Sequence, residues 1–246
     1  MLVDAHCHLN EFSSPKQIVE NALKHKVTQI ITCSENIESM HKNLELAKSF
    51  PSVKACFGIH PNQAGKTTQK QLDEAVEFIR KNIDFCYAIG EIGLDFSHNE
   101  NAEEKKWQET IFEKFIDIAL EFDKAIVVHS RNSEKEVFEI LEKKDVGKAL
   151  LHWFYCDDEL LEKVIVAKYF ISLGPSVFSQ KKFQEFCKKI PKNLLLLETD
   201  APVEFNGEKS SPEWIPKILE KVAELKNEKP FDLAVEFERN EQILFL

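Results

Sequence analysis

The chain has 246 residues, 43% hydrophobic and 30% charged, with 42 acidic against 32 basic side chains and a formal net charge of −10. That is an ordinary globular composition, and its acidic balance argues against a surface that coats nucleic acid by neutralising many phosphates. It leaves room for an enzyme that grips a few phosphates through bound metal ions.

No apolar run is long enough to cross a membrane, and Asp4, His6 and His8 interrupt any signal-peptide core at the start. A cytoplasmic protein is the expectation. Cysteines 7, 33, 56, 86, 156 and 187 have no CxxC spacing and read as reduced, buried thiols.

In chain order, short apolar runs alternate with amphipathic segments. The runs are Leu2–Ala5, Val27–Cys33, Val53–Ile59, Phe85–Ile92, Ala125–His129, Ala149–Trp153, Tyr169–Leu173 and Leu194–Leu197. The clearest helix spans Glu103 to Phe122, where Trp107, Ile111, Phe115, Ile118 and Phe122 recur at three or four residues and make one apolar face. Eight strand–helix units predict a (β/α)8 TIM barrel, with a doubly wound open sheet as the alternative. No linker or composition break divides residues 1–246, so one domain is expected.

A barrel places its active site at the C-terminal ends of its strands. Six of the eight predicted ends carry His, Glu or Asp: His6 and His8, His60, Glu91 and Asp95, His129, His152, and Asp200. In the first of these, alternation puts Asp4, His6 and His8 on one face and Cys7 on the other.

His6, His8, Glu91, His129, His152 and Asp200 exceed what one tetrahedral metal needs, so a two-metal centre is inferred. Glu91 would bridge, with His6, His8 and Asp200 on one side and His129 and His152 on the other. Asp200 is also a candidate base. Mixed nitrogen and oxygen donors suit Zn, Mn or Fe and tolerate Mg.

These residues lie in motifs that resemble the TatD family: Asp-Ala-His-Cys-His-Leu (4–9), Gly-Ile-His-Pro (58–61), Ile-Gly-Glu-Ile-Gly-Leu-Asp (89–95), Val-His-Ser-Arg (128–131), His152 and Glu-Thr-Asp-Ala-Pro (198–202). The match runs from residue 2 to about 202, and Arg239-Asn240 with Leu244-Phe245 is similar to the family's ending. The resemblance implies a metal-dependent deoxyribonuclease on a TIM barrel, cleaving phosphodiester bonds in DNA, often from the 3′ end. It implies the same six ligands, with His60, Asp95 and Arg131 in the substrate pocket. The other enzyme readings are hydrolysis of a small ester, amide or phosphotriester, or D-aminoacyl-tRNA ester cleavage, on the same site. A degenerate barrel acting as a binding protein is the remaining alternative.

The chain departs from the family at three places. Asn62 stands where the family usually has a histidine after His60-Pro61, which keeps a hydrogen-bonding group but removes charge. After His152 comes Trp153-Phe154-Tyr155-Cys156, where one exposed aromatic, Trp153 among them, can stack on a base. Ser211-Pro212 stands where relatives commonly have Asn-Pro. Arg131 is expected to hold a phosphate in paired hydrogen bonds, and Asp95 either to orient a ligand imidazole or to cap the next segment. His98 falls in a mouth loop as a possible substrate contact. His25, His41 and the pairs Lys181-Lys182 and Lys188-Lys189 read as solvated helix faces, and Gly174-Pro175 as a turn.

Overall fold

The computed structural model describes residues 2–97 and 101–246. Eight strands pair in parallel and in sequence order: β1 (Leu2–Cys7), β2 (Val27–Cys33), β3 (Val53–Phe57), β4 (Cys86–Asp95), β5 (Ala125–Arg131), β6 (Ala149–Leu151), β7 (Phe170–Leu173) and β8 (Leu195–Leu197). Between them run α1 (Pro15–Lys24), α2 (Ile37–Ser49), α3 (Gln69–Lys81), α4 (Ala102–Glu121), α5 (Glu134–Lys143), α6 (Asp158–Val166) and α7 (Lys181–Lys189). The chain ends with α8 (Ile215–Lys226) and α9 (Pro230–Phe245). This is a nearly closed TIM barrel. Beyond β8 the ring is drawn together by main-chain bonds: Asp200 N–H donates to the His6 carbonyl at 3.0 Å, and His8 N–H to the Ala201 carbonyl at 2.7 Å.

The strands read as continuous apolar runs because both of their faces are covered. Leu195, Leu196 and Leu197 are all buried, as are Ala125 to Val128. In α4 the predicted stripe holds, with Ile111, Phe115 and Ile118 buried. Trp107 donates its indole N–H to the Thr67 carbonyl at 2.9 Å, tying α4 to the loop after β3. Capping boxes at Asn36/Ser39 and Thr68/Gln71 start α2 and α3. Each satisfies free amides of a first helical turn and so fixes where the preceding mouth loop ends.

The family-like tail closes the opposite end of the barrel. Asn240 on α9 donates to the carbonyls of Lys192 and Leu195 at 2.7 and 2.8 Å. Glu241, buried, accepts from Gln29 at 2.6 Å and from the Tyr87 hydroxyl. Groups on that face serve stability.

Several strand limits differ from expectation by one to three residues. β4 runs on to Asp95 because its pairing with β5 continues through Asp95 opposite Arg131. β6 stops at Leu151, since Trp153 adopts a left-handed backbone with φ 41°. β1 also shifts its pairing register against β2 between Asp4 and Cys7. Asp4, buried, accepts from the amide and hydroxyl of Thr199 at 2.9 and 2.5 Å.

Candidate metal centre

Glu91 is the pivot of the mouth and is 1% exposed. Two glycines make room for it. A side chain on Gly58 would meet the Glu91 carbonyl oxygen at 2.7 Å, and one on Gly93 would meet the His129 carbonyl oxygen at 2.0 Å. Gly93 also has φ +142°, a backbone that other residues rarely adopt.

Each carboxylate oxygen of Glu91 faces its own set of donors. Oε2 lies 3.3 Å from His6 Nε2 and 3.4 Å from His8 Nε2, and Asp200 Oδ1 is 3.4 Å from each of those nitrogens. Oε1 lies 2.8 Å from His152 Nε2, 3.0 Å from His129 Nδ1 and 3.3 Å from His60 Nε2. Donors about 2.0–2.1 Å from an ion at the centre of a tetrahedron stand about 3.4 Å apart along its edges. The separations in the first set match those edges. His6 Nε2 and Glu91 Oε2 are buried without a hydrogen-bond partner. Such orphans cost about 1–3 kcal/mol each, a cost that a cation between them removes.

The outer hydrogen bonds fix which ring nitrogen is free. The Cys33 carbonyl can only accept, so His8 Nδ1 donates to it at 3.2 Å and His8 Nε2 keeps its lone pair for a metal. Asp95 Oδ2 lies 3.1 Å from His129 Nε2, so that nitrogen carries the proton and Nδ1 faces Glu91. His60 is the reverse. Its Nδ1 accepts the Asn62 amide at 3.0 Å, so the neutral ring has its proton on Nε2, the nitrogen that points into the centre. His60 is thus presented as a hydrogen-bond donor, in keeping with a substrate-side role.

The charges agree with this arrangement. Burial opposes ionisation of Glu91, but the imidazoles of His152, His60 and His6 outweigh it and hold its carboxyl well below the usual range. Asp200 is likewise held low against its burial by His6 and His8. Burial opposes a charge on His8, but Asp200, Glu91 and Glu35 outweigh it and push it up to about 9, so a cation taking the Nε2 lone pair displaces a proton. The centre therefore holds ionised carboxylates that already attract positive charge.

The remaining expected residues are placed as follows. Asp95 is buried and divides its oxygens between His129 and Ser97, whose amide and hydroxyl it accepts at 2.9 and 2.5 Å. It thus faces an imidazole and caps the next segment together. Arg131 is exposed at the end of β5, and its guanidinium has no ion-pair partner among the described residues. The Asn62 side chain is exposed. After His152, Phe154 is fully buried, Trp153 is partly buried against the core, and Tyr155, 39% exposed, is the open ring. Tyr155 packs on Phe183 and Phe186, with Lys182 Nζ 4.9 Å from its centroid. His25, His41 and the four lysines are exposed as expected. His98 lies outside the described residues.

Sequence reasoning passed over Glu198. It is buried, accepts the Ser172 hydroxyl at 2.5 Å and stands 3.7 Å from His152 Nδ1. Its signal was its place two residues before Asp200. Gln108 was hidden in the α4 pattern; its side-chain amide bonds both backbone groups of Asp95, at 2.9 and 3.1 Å.

A parallel barrel whose strand ends converge on histidines and carboxylates defines the class of metal-dependent hydrolases. The family model described as "TatD related DNase" matches residues 3–246, and the chain belongs to the TatD family. It is 31% identical over 229 residues to an uncharacterized metal-dependent hydrolase of Methanocaldococcus jannaschii, covering 91% of this chain and 88% of that one. It is 30% identical over 213 residues to the human protein named deoxyribonuclease TATDN3, covering 82% and 78%. Among solved structures, the TatD homologue YJJV of Escherichia coli superposes with a TM-score of 0.91 at 25% identity, over 99% of this chain and 97% of that one. No helix among the described residues is long and apolar enough to cross a membrane.

Proposed function

We propose that this metal-dependent hydrolase cleaves phosphodiester bonds in DNA, working from single-stranded or 3′ ends, with residues 1–246 acting as one catalytic domain. The observation that carries the reading is the division of Glu91, one oxygen facing His6 and His8 and the other facing His129 and His152. That division suits two divalent ions, Mg, Mn or Zn, with Glu91 between them and Asp200 completing the first set. When bound, two such ions acidify a water and clamp the oxygens of an in-line displacement.

The chain's own residues do the rest. Asp200 spends Oδ1 on the first set and its side chain is 14% exposed at the mouth, which suits it to take the proton of the attacking water. His60 offers Nε2–H to a phosphoryl oxygen or leaving group. Arg131, without an ion-pair partner among the described residues, suits a phosphate, and exposed Asn62 and half-buried Trp153 are assigned to the substrate's approach. DNA as the substrate draws support from the family's description and the human relative's name.

The test is digestion of 3′- and 5′-labelled single-stranded DNA beside a panel of small esters, amides and phosphodiesters, with chelated protein and Asp200→Asn as blanks. Metal-dependent shortening of the DNA that vanishes in Asp200→Asn is the expected result. Intact DNA with brisk ester or amide turnover overturns the DNA reading and keeps the hydrolytic centre.

A further inference from the structure

A cavity of about 300 Å³ lies among segments that follow β7 and β8, lined by Phe178, Phe205, Asn206, Glu208, Trp214 and Lys217. Phe178 belongs to the loop after β7, and Trp214 and Lys217 to the start of α8. Phe205, Asn206 and Glu208 come from a small antiparallel hairpin, β9 (Glu204–Phe205) and β10 (Glu208–Lys209).

This hairpin grows directly out of the Asp200 turn. Val203 N–H donates to the Asp200 carbonyl at 3.0 Å, and Ser210 N–H closes the base on the Val203 carbonyl at 2.9 Å. Its tip is Asn206-Gly207, both with positive φ at 53° and 84°. That is the two-residue turn whose twist matches paired strands. Phe205 stands five residues past Asp200, hence no more than about 17 Å from it along the chain.

The three rings differ in their anchorage. Phe178 and Trp214 are partly buried against the hydrophobic core, whereas Phe205 is not packed against it. Phe205, partly buried, is carried by the hairpin and lines the cavity. The Trp214 indole N–H and the Lys217 ammonium have no partner among the described residues. Aromatic walls with a few convergent donors and one carboxylate make a site for a flat, polar-edged group.

The carboxylates of Glu11 and Glu35 lie within 4.8 Å of a His8 ring nitrogen on the β1–β2 side and repel a polyanion there. Arg131 ends β5, across the ring from β1, Lys182 opens α7 after β7, and Lys217 on α8 lines the cavity itself.

We infer that this cavity is a nucleobase subsite: the base of a nucleotide next to the cleaved phosphate stacks between Phe205 and Trp214, and Lys217 meets the backbone phosphate beyond it. The inference rests on the proposed DNA substrate and adds to it where the strand lies. Stacking on an aromatic ring contributes about 1–3 kcal/mol per base, or roughly 5- to 150-fold in affinity.

The experiment measures binding and cleavage separately. Binding of a short fluorescent oligonucleotide to metal-free protein is followed by anisotropy, for wild type, Phe205→Ala and Phe205→Tyr, with normal oligonucleotides and ones carrying a single abasic position scanned along the chain. Cleavage of the same strands is followed with metal. Phe205→Ala leaves the core untouched, so it is expected to fold. The expected result is about a tenfold weaker binding in Phe205→Ala and rescue in Phe205→Tyr. One abasic position should cost wild type the same factor and cost Phe205→Ala nothing more. Equal binding by wild type and Phe205→Ala, or abasic losses that simply add, overturns the subsite, even if the DNA is cut. Base-dependent binding lost in Phe205→Ala without any cleavage sustains the subsite and overturns the nuclease reading.

Discussion

Asp95 Oδ2 sits 3.1 Å from His129 Nε2, and the far nitrogen of the same ring sits 3.0 Å from Glu91. The carboxylate holds the proton on the outer nitrogen, fixes the ring plane and leaves the inner lone pair for a metal. Asp95 is itself clamped through its backbone by Gln108 and through its other oxygen by Ser97. Asp95→Asn keeps the shape but removes the negative charge and allows the side-chain amide to face the ring. Affinity for the metal on the His129–His152 side should fall about 10- to 100-fold, with the His6–His8 side nearly unchanged. Calorimetric titration of metal-free protein reads both sites, and two unchanged affinities would remove the orienting role.

The site was legible in the sequence to the extent that strand ends mark a barrel's mouth. His6, His8, Glu91, His129, His152 and Asp200 lie at or just past the ends of apolar runs, and the structure brings them together. What was not legible depends on contacts between distant segments. Glu198 follows an apolar run like any strand-end acid, and only its reach toward His152 gives it a role. The register shift of β1 against β2 depends on contacts between the two strands, which no local pattern encodes. The proton position on His60 is set by the Asn62 amide, a backbone group that carries no residue-specific signal. Of the aromatics after His152, exposure singles out Tyr155 because the left-handed turn at Trp153 directs Phe154 into the core.

Gly93 tests how closely β4 and β5 must approach beside the centre. Alanine there meets two obstacles, a φ of +142° and a Cβ 2.0 Å from the His129 carbonyl oxygen. Backbone strain and overpacking each cost about 1–3 kcal/mol. Gly93→Ala should lose roughly 2–6 kcal/mol in urea unfolding and take His129 out of line, so that metal affinity falls with stability. Gly147→Ala is the control, since nothing lies within 4 Å of its added carbon. It should change stability by less than about 1 kcal/mol. Equal effects at both positions would show that the close approach at Gly93 is not needed.

Metal removal should be visible in stability as well as in turnover. The orphaned His6 Nε2 and Glu91 Oε2 gain a partner only when a cation is bound. A ligand that binds only the folded state adds about 4 kcal/mol at a thousandfold excess over its Kd. For a chain of this size that is on the order of 8–16 °C in Tm. Calorimetric scans with and without chelator should show a drop of that order, reversed by restoring Mg, Mn or Zn. Glu91→Gln removes the charge that faces both sets of histidines, so its midpoint should hardly respond to metal. A wild-type midpoint indifferent to chelation would argue against an ion among these side chains.

Arg131 separates a phosphate grip from a general structural role. It stands two residues beyond His129, exposed and without an ion-pair partner among the described residues. A guanidinium in that position can hold two phosphate oxygens at once, and hydrogen bonds to charged groups contribute about 1.5–3 kcal/mol. Arg131→Ala should therefore raise KM for single-stranded DNA about 10- to 100-fold while changing kcat little. The effect on a small phosphodiester should be much weaker, because only the longer substrate has a phosphate away from the bond being cut. Arg131→Lys should recover part of the loss, since it keeps the charge but not the paired geometry. The defect should also shrink as salt is raised, because screening weakens the grip in wild type first. Equal losses on both substrates, or a change confined to kcat, would place Arg131 with the groups that shape the metal centre and leave the phosphate to other donors.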